Sequence, residues 1–169
     1  MRWRVGDGLA VVGVNTAHAW TTKHGRLRAA DLADLERRLA ALPPGLARVV
    51  VAHHPVAAGP ELGSEPSARR GAELLRLSRR HGVDLVLCGH LHRSFSIPPE
   101  RTLPGGGPLV VHCGTTLSSR GRGVERGANS LHWIEIDERV VTVERRMWSA
   151  QEGRFRPIER AAYPRAAPA

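Results

Sequence analysis

The sequence has no long apolar run, very little cysteine and almost no lysine, and each shortage narrows what the protein can be. No stretch approaches the ~18 apolar residues that a bilayer-crossing helix needs, so nothing reads as a membrane span. The opening Met1-Arg2-Trp3-Arg4, followed by Leu9-Ala10-Val11-Val12-Gly13-Val14, imitates a signal peptide, but Asp7 interrupts it and the apolar stretch is too short. It reads as a strand, and the expected location is the cytoplasm. The two cysteines, Cys88 and Cys113, lie outside any C-x-x-C pair, each just past an apolar run. Reduced, buried thiols at strand ends are expected rather than disulfides. Lys23 is the only lysine among 25 basic residues, a skew that, with abundant Ala, Gly and Pro, marks a GC-rich coding sequence.

What is present suits one globular domain: 169 residues, 41% hydrophobic and 24% charged. The formal charge of +9 raises nucleic acid as a partner. The arginines are scattered, however, and adjacent only at Arg37-Arg38, Arg69-Arg70, Arg79-Arg80 and Arg145-Arg146. A basic nucleic-acid-binding protein is therefore disfavoured, while the same field serves a small phosphorylated substrate.

Apolar runs and turn residues divide the chain into alternating strands and helices. Leu9–Asn15 reads as a buried strand. Asp31 caps a helix whose Leu32, Leu35, Leu39 and Leu42 recur at helical spacing, stopped by Pro43-Pro44-Gly45. Val49–Ala52 is a short strand that runs into His53-His54-Pro55. A loop rich in Gly, Pro and Ala leads to a second helix, from a Ser67 cap to about His81. Val83–Cys88 and Leu109–Cys113 are further buried strands, with a Gly- and Pro-rich loop over 98–108 between them. Leu131–Ile136 and Val140–Arg146 alternate around Asp137-Glu138-Arg139, which predicts an antiparallel C-terminal β-hairpin. Residues 1–148 form the domain, and 149–169 read as a loosely packed Pro/Arg-rich tail. The β-α-β-α-β start makes the architecture α/β. Its polar segments fall just past strand C-termini, where open α/β sheets bind ligands.

Two of those segments carry chemistry: His53-His54-Pro55 and Gly89-His90-Leu91-His92. Imidazole is the commonest metal-binding side chain. Residues two apart in extended chain face the same side, so His90 and His92 can address one site. Gly89 permits a sharp turn there, and Pro55 restricts His54 to an extended conformation. Either motif alone is a weak signal, since a lone histidine is more often structural or exposed; the two together, each ending a buried strand, make three ligands for a metal. Arg120 and Arg122, in a glycine-rich loop, suit bidentate phosphate contacts, against the bland reading of exposed loop charges. His24, His81, His112 and His132 have no motif context.

The runs Val49–Pro55 and Val83–His92 resemble the later motifs of the calcineurin-like metallophosphoesterases. The resemblance extends back to Val12-Gly13-Val14-Asn15-Thr16 and forward through Cys113-Gly114-Thr115, Ser118-Ser119-Arg120, Asn129-Ser130 and the 134–146 hairpin. Within the family it is closest to the bacterial cyclic-nucleotide phosphodiesterase-like branch. It implies part of a four-layer α-β-β-α sandwich with mixed sheets. It also implies two metal ions (Fe, Mn or Zn) bridged by a carboxylate and a hydroxide that attacks phosphorus. His53 and His90 would serve one ion and His92 the other, with His54 beside the site as a catalytic or orienting neighbour. The implied activity is phosphodiester or phosphomonoester hydrolysis, on a small substrate such as a cyclic nucleotide. The family's earlier motifs, D-x-H, G-D-x-x-D and G-N-H-D/E, are absent, so the chain reads as the C-terminal portion of such a domain. A fragment, a misplaced start or completion by a separate N-terminal half would each account for that. The alternative is a catalytically incomplete, metal-binding regulatory chain.

Overall fold

Short apolar runs supply the central sheet, the most fully buried of them at its fourth and sixth strands in chain order. In the computed structural model, which describes residues 2–166 apart from 7, 20–23, 59–61 and 64, six strands pair: β1 (Arg2–Gly6), β2 (Leu9–Val14), β3 (Ala47–Ala52), β4 (Leu85–Cys88), β5 (Phe95–Ile97) and β6 (Leu109–His112). Their order is β1-β2-β3-β4-β6-β5. β2, β3, β4 and β6 are parallel, and the outer strands β1 and β5 are antiparallel to their neighbours. Period-two alternation splits each run between two cores. Val12, Val50, Val86 and Val110 face α1 (Ala29–Ala40) and α2 (Gly71–Arg80), meeting Leu35, Leu39, Leu74 and Leu75. Val49, Leu85, Leu109 and Val111 face the other way and meet Val141 and Val143 of a second sheet.

That second sheet is β7 (Ser130–Ile136), β8 (Val140–Ser149) and β9 (Arg154–Pro164), antiparallel and in that order. The layers described are helix, sheet and sheet, three of the four expected, and Trp133, Trp148 and Ile158 of the second sheet are exposed. The predicted hairpin is therefore a three-stranded sheet. The correction falls on the segment read as a tail: Arg154–Pro164 pairs along the length of β8. Its sequence conceals this because an edge strand tolerates proline and keeps much of its surface in water. Tyr163 packs against the inter-sheet core, and Arg165 and Ala166 are bound to Asp84. Residues 167–169 of the same segment lie outside the described residues.

Two helix starts also differ from expectation. α1 begins at Ala29, and Asp31 sits inside its first turn, accepting the Arg28 backbone N–H at 2.9 Å. α2 begins at Gly71 rather than after Ser67. The intervening backbone is used elsewhere: Ala68 N–H donates to Pro55 O at 2.6 Å and Arg69 N–H to Gly25 O at 2.8 Å. Arg70 then turns into the helix at φ 68. Those bonds bind the segment around His54 to the helix layer.

Candidate metal centre

β3 and β4 run parallel and end side by side, so the two histidine segments meet. The ladder continues one step past the strands, where Gly89 N–H donates to His53 O at 2.9 Å. The chain then folds over itself. Leu91 N–H donates to Gly89 O, and His90 and His92 adopt left-handed conformations at φ 72 and 56. Such conformations cost ~1–3 kcal/mol per non-glycine residue and persist only where the surroundings over-determine them. Buried Leu91 anchors the loop between the two histidines.

His53, His54 and His90 form a group whose ligand atoms lie within 4.8 Å of one another, and no carboxylate among the described residues belongs to it. His53 Nε2 is 3.3 Å from His90 Nδ1. Two nitrogens bound to one tetrahedral ion, each ~2.0–2.1 Å from it, stand about 3.3–3.4 Å apart. Without an ion the same spacing serves an N–H···N hydrogen bond. The rings of His54 and His90 are 4.5 Å apart, and those of His53 and His54 4.8 Å. Three neutral imidazoles are a donor set for Zn or a similar ion, so the residues fit the metal the motifs imply.

His54 is the buried member. Thr16 Oγ1 accepts its backbone N–H at 3.1 Å and contacts its Nδ1 at 2.9 Å. With Nδ1 occupied, Nε2 is the atom His54 can offer. Burial, then the neighbouring His90, His53 and His24, push its pKa down to about 4, so at neutral pH it is the uncharged base that a metal requires. A β-carbon at Gly25 would collide with the His54 ring; only glycine lets that segment close over it.

His54, read as a neighbour of the site, stands in one group with His53 and His90, while His92, expected to serve a second ion, stands outside that group. His92 Nδ1 lies 3.2 Å from the carbonyl of Arg120. A proton on Nδ1 bonded there leaves Nε2 free, the arrangement by which a ligand imidazole is oriented. Arg120 and Arg122 hold His92 through their backbone, since Arg122 N–H donates to His92 O at 2.9 Å. Their side chains are exposed, and Arg122 Nη1 is 3.8 Å from Glu65.

Beside His53 a cavity of about 580 Å³ opens over Val51, Leu87 and Asn15 and reaches Cys88 and Cys113. Burial pushes the Cys88 thiol up to about 12 and Cys113 upward as well, so both remain thiols beside the imidazole group. His112, fully buried, stacks on Phe95 at 4.3 Å and is held near pKa 4 chiefly by desolvation. Sequence reasoning missed Thr16, Gly25 and Glu125. Thr16 and Gly25 precede the motif in sequence and meet His54 only in three dimensions.

No protein-family model matches the chain, and no curated protein does. Among solved structures, GAP50, the anchor in the inner membrane complex of Plasmodium, is 17% identical with a TM-score of 0.54. That match covers 93% of this chain and 49% of the other, so the chain spans about half the length of the Plasmodium protein. Vps29 from Chaetomium thermophilum is 12% identical, TM-score 0.39, with 93% and 95% covered. Wild-type Vps29 from Entamoeba histolytica, complexed with Zn²⁺, is 13% identical, TM-score 0.38, with 90% and 98% covered. Identities in this range show fold alone: a mixed α/β fold with antiparallel strands at its C-terminal end.

Proposed function

We propose that His53, His54 and His90 hold a divalent metal ion, and that the chain is a phosphoesterase module of the calcineurin-like metallophosphoesterases. The observation that carries this reading is the 3.3 Å approach of His53 Nε2 to His90 Nδ1, with buried His54 completing the group. A bound ion would supply Lewis-acid chemistry, polarising a phosphoryl oxygen and activating water. The chain's own residues bind and orient. His54 stays neutral and is steered by Thr16, and His92, with Nδ1 at the Arg120 carbonyl, would have Nε2 left for a second ion of a dinuclear Fe, Mn or Zn centre. Arg120 and Arg122 provide cationic side chains on the neighbouring loop for a phosphate. The adjoining cavity has the volume of a small-molecule site, which favours a cyclic nucleotide or another small phosphodiester, met in the cytoplasm, over nucleic acid. No described helix is long and apolar enough to cross a membrane.

A second reading, metal binding without hydrolysis, is favoured because no carboxylate among the described residues belongs to the histidine group. A separate N-terminal half carrying one would then be needed for turnover. Metal content of the purified chain, Zn²⁺ and Mn²⁺ titrations, and hydrolysis of bis(4-nitrophenyl) phosphate decide between them. The expected result is a bound ion and metal-dependent hydrolysis. Binding without turnover selects the second reading. A chain that binds neither ion sinks both.

A further inference from the structure

Glu125 has no motif around it and lies far from the histidines in sequence, yet its carboxylate is fully buried at 0% exposure. Oε1 accepts the backbone N–H of Ser94 at 2.6 Å and also the Ser94 hydroxyl. Oε2 accepts the Ser130 hydroxyl at 2.6 Å. Arg145 Nη1 stands 4.0 Å from Oε1 and donates to Ser94 O at 2.9 Å. Ser94 is thereby gripped at its amide, hydroxyl and carbonyl, and it lies two residues beyond His92. Glu125 also ends the short 3-10 turn Gly123–Glu125, just after the two residues whose backbone holds the His92 ring and carbonyl. The packing around it is close: a β-carbon on Gly114 would meet Ser130 and the Glu125 carboxylate, and one on Gly121 would meet the Glu125 carbonyl.

We propose that Glu125 is a positioning residue for the metal centre. Its buried carboxylate fastens the 114–128 loop to Ser94, so that the backbone of Arg120 and Arg122 holds the His90–His92 loop in its left-handed conformation. A carboxylate suits this task because Oε1 can accept from Ser94 in its loop while Oε2 accepts from Ser130 at the start of β7. This rests on the metal-centre reading above, and the experiment keeps the two separable.

The variants are Glu125→Ala, Glu125→Gln and Ser130→Ala. Zn²⁺ affinity is measured by competition with a chromophoric chelator, Co²⁺ coordination by its visible spectrum, and amide exchange in the metal-free chain at Arg122. Glu125→Ala should lower Zn²⁺ affinity about 10- to 100-fold, the range for losing a group that orients a ligand. It should also alter the Co²⁺ spectrum and release the Arg122 amide, while α1 amides stay protected. Glu125→Gln retains an acceptor for Ser94 and should restore most of both effects. Ser130→Ala, which removes one donor of three, should shift them in the same direction by less, and it serves if Glu125→Ala does not fold. A folded Glu125→Ala with unchanged affinity and unchanged Arg122 exchange overturns the proposal, and so does Glu125→Gln behaving like Glu125→Ala. A wild-type chain that binds no Zn²⁺ removes the metal centre, whereas the exchange measurement still decides whether Glu125 holds the loop.

Discussion

The two ends of the parallel strands are built on opposite terms. At the N-terminal end of β4, buried Asp84 accepts the Arg48 backbone N–H at 2.8 Å, Arg165 Nε at 3.1 Å, Arg165 Nη2 at 3.3 Å and the Ala166 N–H at 3.1 Å. Every donor there meets an acceptor of opposite charge or dipole, and the result ties β3, β4 and the end of the chain together. At the C-terminal end, three imidazoles stand together, with no carboxylate of the described residues among them, beside a loop with two left-handed histidines. The first end lowers the energy of the fold. The second brings basic nitrogens together, His53 Nε2 and His90 Nδ1 at 3.3 Å, an arrangement that a bound cation would stabilise further.

Breaking the satisfied end should have the largest effect on folding. Asp84→Ala should cost about 3 kcal/mol, the low end for breaking a buried charge pair, because Arg165 keeps 17% of its side chain exposed. Urea denaturation reads this, and Zn²⁺ affinity of the folded fraction should be unchanged. His53→Ala should do the reverse. Its exposed side chain contributes little to folding, so stability should stay within about 0.5 kcal/mol. Its Zn²⁺ affinity should fall beyond the ~100-fold that loss of an orienting neighbour costs at most. Wild-type affinity in that variant would remove His53 from the site. Gly25→Ala sharpens the contrast from the ligand's side: its β-carbon displaces the His54 ring, and Zn²⁺ affinity should drop about 10-fold, measured by the same titration.

The smallest effect concerns acid. Burial first, then Arg145, lowers His132 to about 4, against ~6.5 in an unfolded chain. Between those values the unfolded chain takes up a proton that the folded chain refuses. Stability is therefore complete above pH ~6.5 and declines as pH falls toward 4. In His132→Gln the thermal midpoint should decline less steeply over that window; an unchanged slope would show that His132 takes up its proton in the folded chain.

Much of the fold was legible because its signals are local. The continuous runs ending at Ala52, Cys88 and Cys113 announced buried strands, and the Leu32-Leu35-Leu39 spacing announced α1. β9 was not legible, since an edge strand needs little apolar alternation and Arg154–Pro164 is held by pairing with β8, with Arg165 just beyond it bound to Asp84. The start of α2 was misplaced because residues 68 and 69 give their amides to Pro55 and Gly25, a competition that no capping pattern reveals.

By itself the sequence determined that histidines would stand at the ends of two buried strands, because hydrophobic period and motif are read within a few neighbouring residues. Only the tertiary structure decided which histidines converge. Thr16 reaches His54 across 38 positions and Glu125 reaches Ser94 across 31. Such contacts depend on strand order and on how closely glycines let segments approach. The tertiary packing therefore drew His54 into the group, turned His92 toward the Arg120 carbonyl, and set a motif-free glutamate against Ser94, two residues beyond His92.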